Sequence, residues 1–448
     1  MKKILFTLLL LATLLPAMAG NKHYTVIVSL DGFRWDYTKM YETPFFDQMA
    51  REGVQATMFP SFPSKTFPNH YTLATGLYPD HHGIIANSFW AADRGKMYAM
   101  NNPETRNDPS FYGGEPIWIT AQKQGIKTGN VYWVGSDIAI KGQHPTYYKV
   151  YDDTPRLNYA ERIAYVLEML KKPEPERPQL IMAYFEDPDH YGHAFSPHSA
   201  ETHRCITELD VLMKQLWDGI QLLPFAEDVN LIVTSDHGMA TISPDRCVSI
   251  SQYLKPEWYE RINDNLPAQI YAKAGCTDSI YNALQGLEHV RVWKKANIPA
   301  YLHYGSNAYI GDIIVLPDLG WLVTDDTDFN VGGAHGFDPT YDDMQVMFRA
   351  CGPDFKKGYT ASKFHNVSIY SLLAYLLGIT PEKTDGSLEE VKGMLKALPA
   401  QSSTSEAVLI SFDKFVKHDL DECNLYHSFC GFSKEFIIDG QPSEVFQP

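Results

Sequence analysis

The sequence predicts an α/β fold in which a mostly parallel central sheet carries helices on both faces. Four apolar runs end in polar loops: YTVIVSL before Asp31, TGNVYWV before Gly135, QLIMAYF before Glu186 and NLIVTS before Asp236. Continuous apolar strands are typical of a parallel sheet that is buried on both faces. Residues 157–172 and 201–220 repeat apolar side chains at three- and four-residue spacing, which predicts amphipathic helices between strands. This alternation of strands and helices indicates the fold class.

The first 19 residues are predicted to be a secretory signal peptide. Lys2 and Lys3 precede an apolar run that ends at Leu15, and small residues lead to a cleavage site near Ala19. The run is too short for a membrane span, and no later stretch reaches the length that a bilayer requires. We therefore expect an exported protein, periplasmic or secreted, with no membrane span.

Composition limits the class of partner. The 448 residues carry a formal net charge of −16, which argues against binding to polymeric nucleic acid. The six cysteines show no CxxC spacing, so a zinc–thiolate site is not expected. Export permits disulfides, and Cys423 with Cys430 is the predicted pair.

We expect a catalytic domain over residues 22–385 and a tail over 386–448 whose role the sequence does not indicate. Oligomeric state is not indicated either.

Candidate metal ligands follow the predicted strands. Loops at the carboxyl ends of strands carry the ligand sites of open α/β sheets. Each loop alone could be an ordinary polar turn, but three such loops together favour a metal site. Mixed oxygen and nitrogen ligands suit Zn²⁺, with Mn²⁺ as an alternative, and two ions need about six protein ligands. The candidates are Asp31, Asp189, His193, Asp236, His237 and His335, with His190 as an alternative to its neighbour.

Thr66 is the candidate nucleophile, in the stretch FPSKTFPNH over residues 62–70. A threonine hydroxyl is a poor nucleophile unless a base or a metal lowers its pKa. No His–Asp relay is evident beside it in the sequence, so metal activation is predicted. The alternative is that Thr66 caps the helix predicted in TFPNHYTLATG, and this is compatible because a helix amino terminus also favours anions.

Six ordered motifs over residues 24–380 resemble those of the nucleotide pyrophosphatase/phosphodiesterase family of the alkaline phosphatase superfamily. They are VSLDGFRWDY, FPSKTFPNHYTLATGLYPDHHGIIANSFW, YFEDPDHYGH, TSDHGM, HYGSNAYIGD and GGAHGFDP. The resemblance implies an alkaline-phosphatase-like sheet, two Zn²⁺ per chain and a bacterial, catalytic-domain-only form. The implied ligands are Asp189, His193 and His335 for one ion, and Asp31, Asp236, His237 and the Thr66 oxygen for the other.

The same resemblance implies a reaction on small nucleotide substrates. Thr66 would attack phosphorus to form a phospho-threonine intermediate, and its hydrolysis would release a nucleoside 5′-monophosphate. Asn87 matches the asparagine that helps to bind a phosphate oxygen. Phe67 and Tyr184 match rings that sandwich a nucleobase, and Trp133 is expected in the same pocket.

Three other functions remain open from the sequence. Relatives use the same metals on lipid or choline headgroups, and the superfamily also contains phosphomonoesterases. A metal-bearing binding protein with a dead site is less favoured, because all six ligand candidates and the nucleophile are present. Six other histidines are expected to be structural or solvent-facing, namely His70, His81, His82, His198, His203 and His365.

Overall fold

A computed structural model describes residues 23–263 and 266–396, together with the backbone of 437–438 and 441–442. Residues 1–396 group into one compact unit and residues 397–448 into a second. In the second, Ile437–Ile438 pairs antiparallel with Gln441–Pro442. The predicted signal peptide and the predicted Cys423–Cys430 disulfide lie outside the described residues. The predicted boundary at residue 385 stays a prediction.

The first unit is built on a nine-stranded sheet. Its strands are β1 Tyr24–Leu30, β2 Val54–Phe59, β3 Thr128–Val131, β4 Tyr147–Lys149, β5 Leu180–Phe185, β6 Val229–Thr234, β7 Val346–Cys351, β8 Tyr359–Thr360 and β9 Phe364–His365. They lie in the order β8, β2, β7, β6, β1, β5, β3, β4, and β9 also pairs with β2. Only β7 is antiparallel to its neighbours in this sheet. The predicted mostly parallel sheet is confirmed.

Helices cover both faces of this sheet, as predicted. The longer ones are α1 Pro44–Glu52, α2 Thr66–Thr75, α3 Ile117–Lys123, α4 Tyr159–Leu170, α5 Asp189–Phe195, α6 Ala200–Gln221, α7 Thr277–Leu284 and α8 Ser368–Leu377. Successive side chains of a strand point to opposite faces. Val26 and Val28 of β1 therefore pack with α1, α4 and α6, whereas Ile27 packs with α2, α3 and α8.

The four predicted strands and two predicted helices are all present. Helix α4 begins after Asn158, whose side chain and that of Glu161 form a capping box. Strand β3 is shorter than its apolar run, because Tyr132 adopts a left-handed backbone with φ of 59° and ends the extended segment.

A smaller antiparallel sheet was not predicted from the sequence. Its strands follow the order Tyr259–Asn263, Ala268–Ala272, Ile313–Pro317 and Val290–Lys294, and α7 packs on it over a separate apolar core. The short strand pairs are Ser88–Ala91 with Lys96–Ala99, Ala240–Ile242 with Gly332–Ala334, and Cys247–Val248 with Leu322–Val323. The short helices are Tyr37–Met40, Pro79–His82, Pro103–Arg106 and Leu388–Val391. No helix among the described residues is long and apolar enough to cross a membrane.

Candidate active site

Three neighbouring strands bring the candidate ligands to one edge of the sheet. Strands β5, β1 and β6 are adjacent and parallel, so their carboxyl ends lie side by side. Asp31 follows β1 directly, and its backbone N–H donates to the carbonyl of Phe185 at the end of β5, at 2.9 Å. The backbone N–H of Asp189 donates to the carbonyl of Asp31, also at 2.9 Å. These bonds fix the loops that carry the acidic side chains.

The first candidate metal cluster consists of Asp189, His193 and His335. One potential ligand atom from each lies within 4.8 Å of the other two. Asp189 and His193 are one turn apart on α5, which places them on the same face. Asp189 Oδ1 is 3.4 Å from Nε2 of His193 and 3.6 Å from Nε2 of His335. The His193 side chain is 44% exposed, so this cluster is open to solvent on one side.

The second candidate cluster consists of Asp31, Asp236 and His237, all of them buried. His237 Nε2 lies 3.2 Å from Asp31 Oδ1 and 3.1 Å from Asp236 Oδ2. Gly238 follows at a point of close backbone approach, where an added Cβ would lie 2.0 Å from the carbonyl oxygen of Asp343. A larger residue in place of this glycine would clash with that carbonyl, which gives a steric reason for the glycine in the pattern Asp-His-Gly.

All three candidate histidine ligands have a fixed ring orientation. In each ring Nδ1 bonds a backbone carbonyl, and because a carbonyl can only accept, Nδ1 carries the proton. This leaves Nε2 as the free ligand atom, as in metal sites where the second ring nitrogen is held by the protein. The bonds run from His193 to Gly333 (2.7 Å), from His237 to Gly238 (2.9 Å) and from His335 to Ser64 (2.8 Å).

The carboxylates in the two clusters also indicate a cation site. Asp31 Oδ1, Asp189 Oδ1 and Asp236 Oδ2 are buried oxygens without a hydrogen-bond partner among the described residues. Burial, together with the neighbouring carboxylates, raises the pKa of Asp31 to about 6 and that of Asp189 to about 7. Divalent cations would satisfy the unpaired oxygens and relieve the repulsion. The donor set therefore fits two metal ions.

Thr66 is the first residue of α2, and Lys65 holds the cap position without a side-chain capping bond. The alternative that Thr66 caps this helix is therefore wrong. The Thr66 hydroxyl instead lies 3.1 Å from Nε2 of His237, beside the second cluster. The helix amino terminus adds a partial positive charge at this position.

Asn87 is oriented toward the same helix end. Its side-chain Oδ1 accepts a hydrogen bond from the backbone N–H of Phe67 at 3.0 Å. This bond fixes which end of the amide is the oxygen. The Nδ2 group is then the end that can donate to an anion next to Thr66.

An aromatic cavity of about 280 Å³ adjoins the two clusters. Phe67, Trp133 and Tyr184, which the sequence placed in a substrate pocket, all line it. Tyr184 is buried, and its hydroxyl donates to Asp31 Oδ2 at 2.7 Å. Thr66, Asp31 and Asp189 also line the cavity, so the pocket and the candidate metal centre are continuous.

Several lining residues were missed in the sequence, namely Arg106, Tyr132, Asp137 and Tyr151. Asp137 follows β3 in the loop VGSD, and the rule that identified Asp31 at a strand end could have found it. Tyr151 is far from every motif along the chain, and only the folded structure brings it to the cavity.

His70 has a role that its sequence position did not reveal. It is fully buried, with Nδ1 3.3 Å from Asp236 Oδ2 and Nε2 2.9 Å from the hydroxyl of Ser29. A buried, hydrogen-bonded His70 agrees with the expectation that it is structural, but the sequence did not reveal its contact with a candidate ligand. The available signal was its position one helical turn after Thr66, on the same face of α2.

Comparison with known proteins gives consistent similarities. A family model described as type I phosphodiesterase / nucleotide pyrophosphatase matches residues 25–338. Ectonucleotide pyrophosphatase/phosphodiesterase family member 5 of Homo sapiens is 33% identical over 429 residues, covering 94% of this chain and 88% of the human protein. Bis(5′-adenosyl)-triphosphatase enpp4 of Xenopus laevis is 32% identical over 373 residues, covering 83% and 81%.

A solved structure shows the same fold. The murine ectonucleotide pyrophosphatase/phosphodiesterase 5, an inactive threonine-to-alanine variant in complex with AMP, superimposes with a TM-score of 0.79. It is 34% identical, and the match covers 84% of this chain and 100% of the murine chain. The predicted α/β architecture of the alkaline phosphatase superfamily is confirmed by this match.

Proposed function

Because the chain belongs to the type I phosphodiesterase / nucleotide pyrophosphatase family, we propose that it is an exported two-zinc hydrolase of small nucleotides. It would cleave phosphodiester or phosphoanhydride bonds and release nucleoside 5′-monophosphates. One observation carries the proposal: two three-residue clusters each contribute a carboxylate to the wall of an aromatic cavity, and the Thr66 hydroxyl lies in the same wall beside the second cluster. The catalytic domain would extend over residues 22–385, after a signal peptide over 1–19.

Zinc is the proposed metal for both clusters. Together they offer three imidazole nitrogens and three carboxylates, a donor set that Zn²⁺ accepts readily. Two bound divalent ions would hold the attacking and leaving oxygens of an in-line displacement and would neutralise charge on the phosphoryl group. The Thr66 oxygen would complete the second cluster.

Thr66 and Asn87 have different roles in the proposed reaction. Thr66 Oγ1 would release its proton to solvent and attack phosphorus, and the bond between phosphorus and the leaving oxygen would break as the new bond forms, so that the leaving group departs with the bonding electron pair. Water would then attack the same phosphorus and break its bond to Thr66 Oγ1. One proton of this water restores the Thr66 hydroxyl, and the other is released to solvent. Asn87 Nδ2 would donate to a non-bridging phosphate oxygen, where negative charge increases in the transition state.

The cavity supports a nucleotide as the substrate. Its aromatic walls offer stacking surfaces for a base, and stacking tolerates every base. Phe67 and Tyr184 are the proposed stacking rings. The murine relative was solved with AMP, and the Xenopus relative is named for a dinucleoside triphosphate. Both facts agree with this substrate class.

Two other substrate classes would use the same metal centre. A phosphodiesterase for lipid or choline headgroups and a phosphomonoesterase both remain alternatives to nucleotide hydrolysis. The aromatic rings together with Asp137 would also accept a choline group, whereas Arg106 in the same wall favours a nucleotide over a second cation.

A comparison of three nitrophenyl esters tests the proposal. The esters are those of thymidine 5′-monophosphate, phosphocholine and inorganic phosphate, each measured with and without a chelator and with Zn²⁺ restored. We expect the thymidine ester to have the highest kcat/KM and to lose turnover with the chelator. A preference for either other ester would contradict the substrate claim, and turnover that survives chelation would contradict the metal claim.

A further inference from the structure

Lys65, beside the candidate nucleophile, carries a side-chain amine that is unpaired within the described residues. It forms no hydrogen bond and no ion pair with any residue in 23–263 or 266–396. Its side chain is half-buried next to Thr66, where loss of water is not offset by a carboxylate contact. Lys141, by contrast, pairs with Glu115 at 3.1 Å. An unpaired ammonium beside the candidate nucleophile is poised for an anion that the protein itself does not supply.

The packing of Gly336 shows where this side chain runs. An added Cβ on Gly336 would lie 2.6 Å from Cε of Lys65, so the lysine stem passes directly over this glycine. Gly336 follows His335, a member of the first cluster. The Lys65 side chain therefore extends from the start of α2 toward that cluster.

The neighbouring nucleophile lies by the other cluster. Gly336, over which the Lys65 stem passes, directly follows His335 of the first cluster. The Thr66 hydroxyl, in contrast, lies 3.1 Å from Nε2 of His237 in the second cluster.

This placement separates Lys65 from the nucleotide cavity. Its chain neighbours Thr66 and Phe67 line that cavity, and Lys65 does not. In an in-line displacement with two metal ions, one ion holds the attacking oxygen and the other holds the leaving oxygen. The second cluster lies by the Thr66 oxygen. With a metal ion in each cluster, the first cluster, with Lys65 beside it, would therefore be on the leaving-group side.

We propose that Lys65 binds the leaving group when this group is a phosphate chain, and so selects nucleoside polyphosphates over substrates whose leaving group carries no phosphate. The proposal rests on the proposed function and adds the leaving-group class to it. A charge-assisted hydrogen bond to a phosphate oxygen contributes roughly 10- to 100-fold in affinity or rate. We expect Lys65 to favour nucleoside polyphosphates over the other substrates by this factor.

The test compares two substrates that share a nucleotide and differ in the leaving group. Thymidine 5′-triphosphate releases pyrophosphate, and the nitrophenyl ester of thymidine 5′-monophosphate releases nitrophenolate. In Lys65→Met we expect kcat/KM for the triphosphate to fall roughly 10- to 100-fold, with the ester changed by less than about threefold. Inhibition by inorganic pyrophosphate should weaken by a similar factor, whereas Lys65→Arg should retain most of both.

Control variants and measurements of folding distinguish a specific loss of leaving-group binding from a general loss of activity. Lys171→Met removes an exposed charge at the end of α4 and should behave as wild type with both substrates. Bound metal and the melting temperature show whether Lys65→Met is folded, and Lys65→Gln serves as a second uncharged variant. Equal losses on both substrates, or none on either, would overturn the proposal. A wild-type protein that hydrolyses neither substrate would instead refute the proposed function.

Discussion

The hydroxyl of Tyr184 donates a 2.7 Å hydrogen bond to Oδ2 of Asp31, which leaves Oδ1 of that carboxylate facing Nε2 of His237 at 3.2 Å. The aromatic cavity and the second cluster thus share one side chain. Tyr184 has a positioning role toward Asp31, in addition to the stacking role that the sequence predicts.

Tyr184→Phe separates these two roles, because it keeps the ring and removes only the hydroxyl. If the hydroxyl holds Asp31, kcat and metal affinity should fall roughly 10- to 100-fold while KM for a nucleotide ester changes little. Steady-state kinetics and metal titration measure both quantities. Tyr151→Phe is the matched control, since Tyr151 lines the same cavity but does not contact a candidate ligand. Wild-type behaviour in Tyr184→Phe would show that only the ring matters.

The second prediction concerns the metal content of variants of the two histidines on α5. His193 belongs to the first cluster, and His190, its alternative in the sequence, is exposed and outside it. We expect His193→Ala to bind one metal ion per chain instead of two, and to lose most activity, because one ligand of the exposed cluster is gone. His190→Ala should keep both ions and its activity. Elemental analysis of the purified proteins measures the number of metal ions per chain. If His190→Ala lost an ion and His193→Ala kept both, His190 would be the ligand.

His82 makes the stability of the fold depend on pH. Burial lowers its pKa to about 3. Nδ1 accepts from the backbone N–H of Ile84 at 3.2 Å, and Nε2 lies 3.1 Å from the carbonyl of Pro68, so only the neutral ring satisfies both contacts. The unfolded chain takes up a proton near pH 6.5 and the folded chain does not. The stabilisation is therefore complete above pH 6.5 and is lost progressively as pH falls toward 3.

The expected loss is about 2 kcal/mol in the free energy of unfolding between pH 6.5 and pH 5. Urea unfolding of the wild type and of His82→Asn at both pH values measures it. The variant should be less stable at pH 6.5 and should show a shallower pH dependence. His198→Asn, at an exposed position, should follow the wild type. Equal slopes for wild type and His82→Asn would mean that His82 is not the group that titrates.

Local patterns in the sequence were sufficient to predict the central sheet and to identify the six residues that the structure groups into two clusters. Asp31 and Asp236 follow apolar strands, and a strand that is buried on both faces is easy to read from composition alone. The spacing of Asp189 and His193 indicates one face of a helix because the helical repeat is fixed. The structure brings all six candidates into two groups of three.

Contacts between distant segments could not be predicted in the same way. The bond between Tyr184 and Asp31 and the position of Tyr151 in the cavity depend on how the strands are ordered, which no local pattern states. The small antiparallel sheet was missed although Ala268–Ala272 and Ile313–Pro317 are buried strands. Its other two strands, Tyr259–Asn263 and Val290–Lys294, are mostly half-buried or exposed and show no clean alternation of buried and exposed residues. The capping alternative for Thr66 was wrong because α2 begins one residue earlier than a capping threonine requires.

The role of Thr66 as the nucleophile is tested most directly by quenching the zinc-loaded protein in acid during turnover of the thymidine 5′-monophosphate nitrophenyl ester. Mass spectrometry of the peptide that contains Thr66 then reports any covalent adduct. We predict a thymidylyl group on Thr66 in the wild type and none in Thr66→Ala, whose turnover should fall by at least about a thousandfold. An unmodified Thr66 peptide together with near-normal turnover in Thr66→Ala would contradict the assignment of Thr66 as the nucleophile.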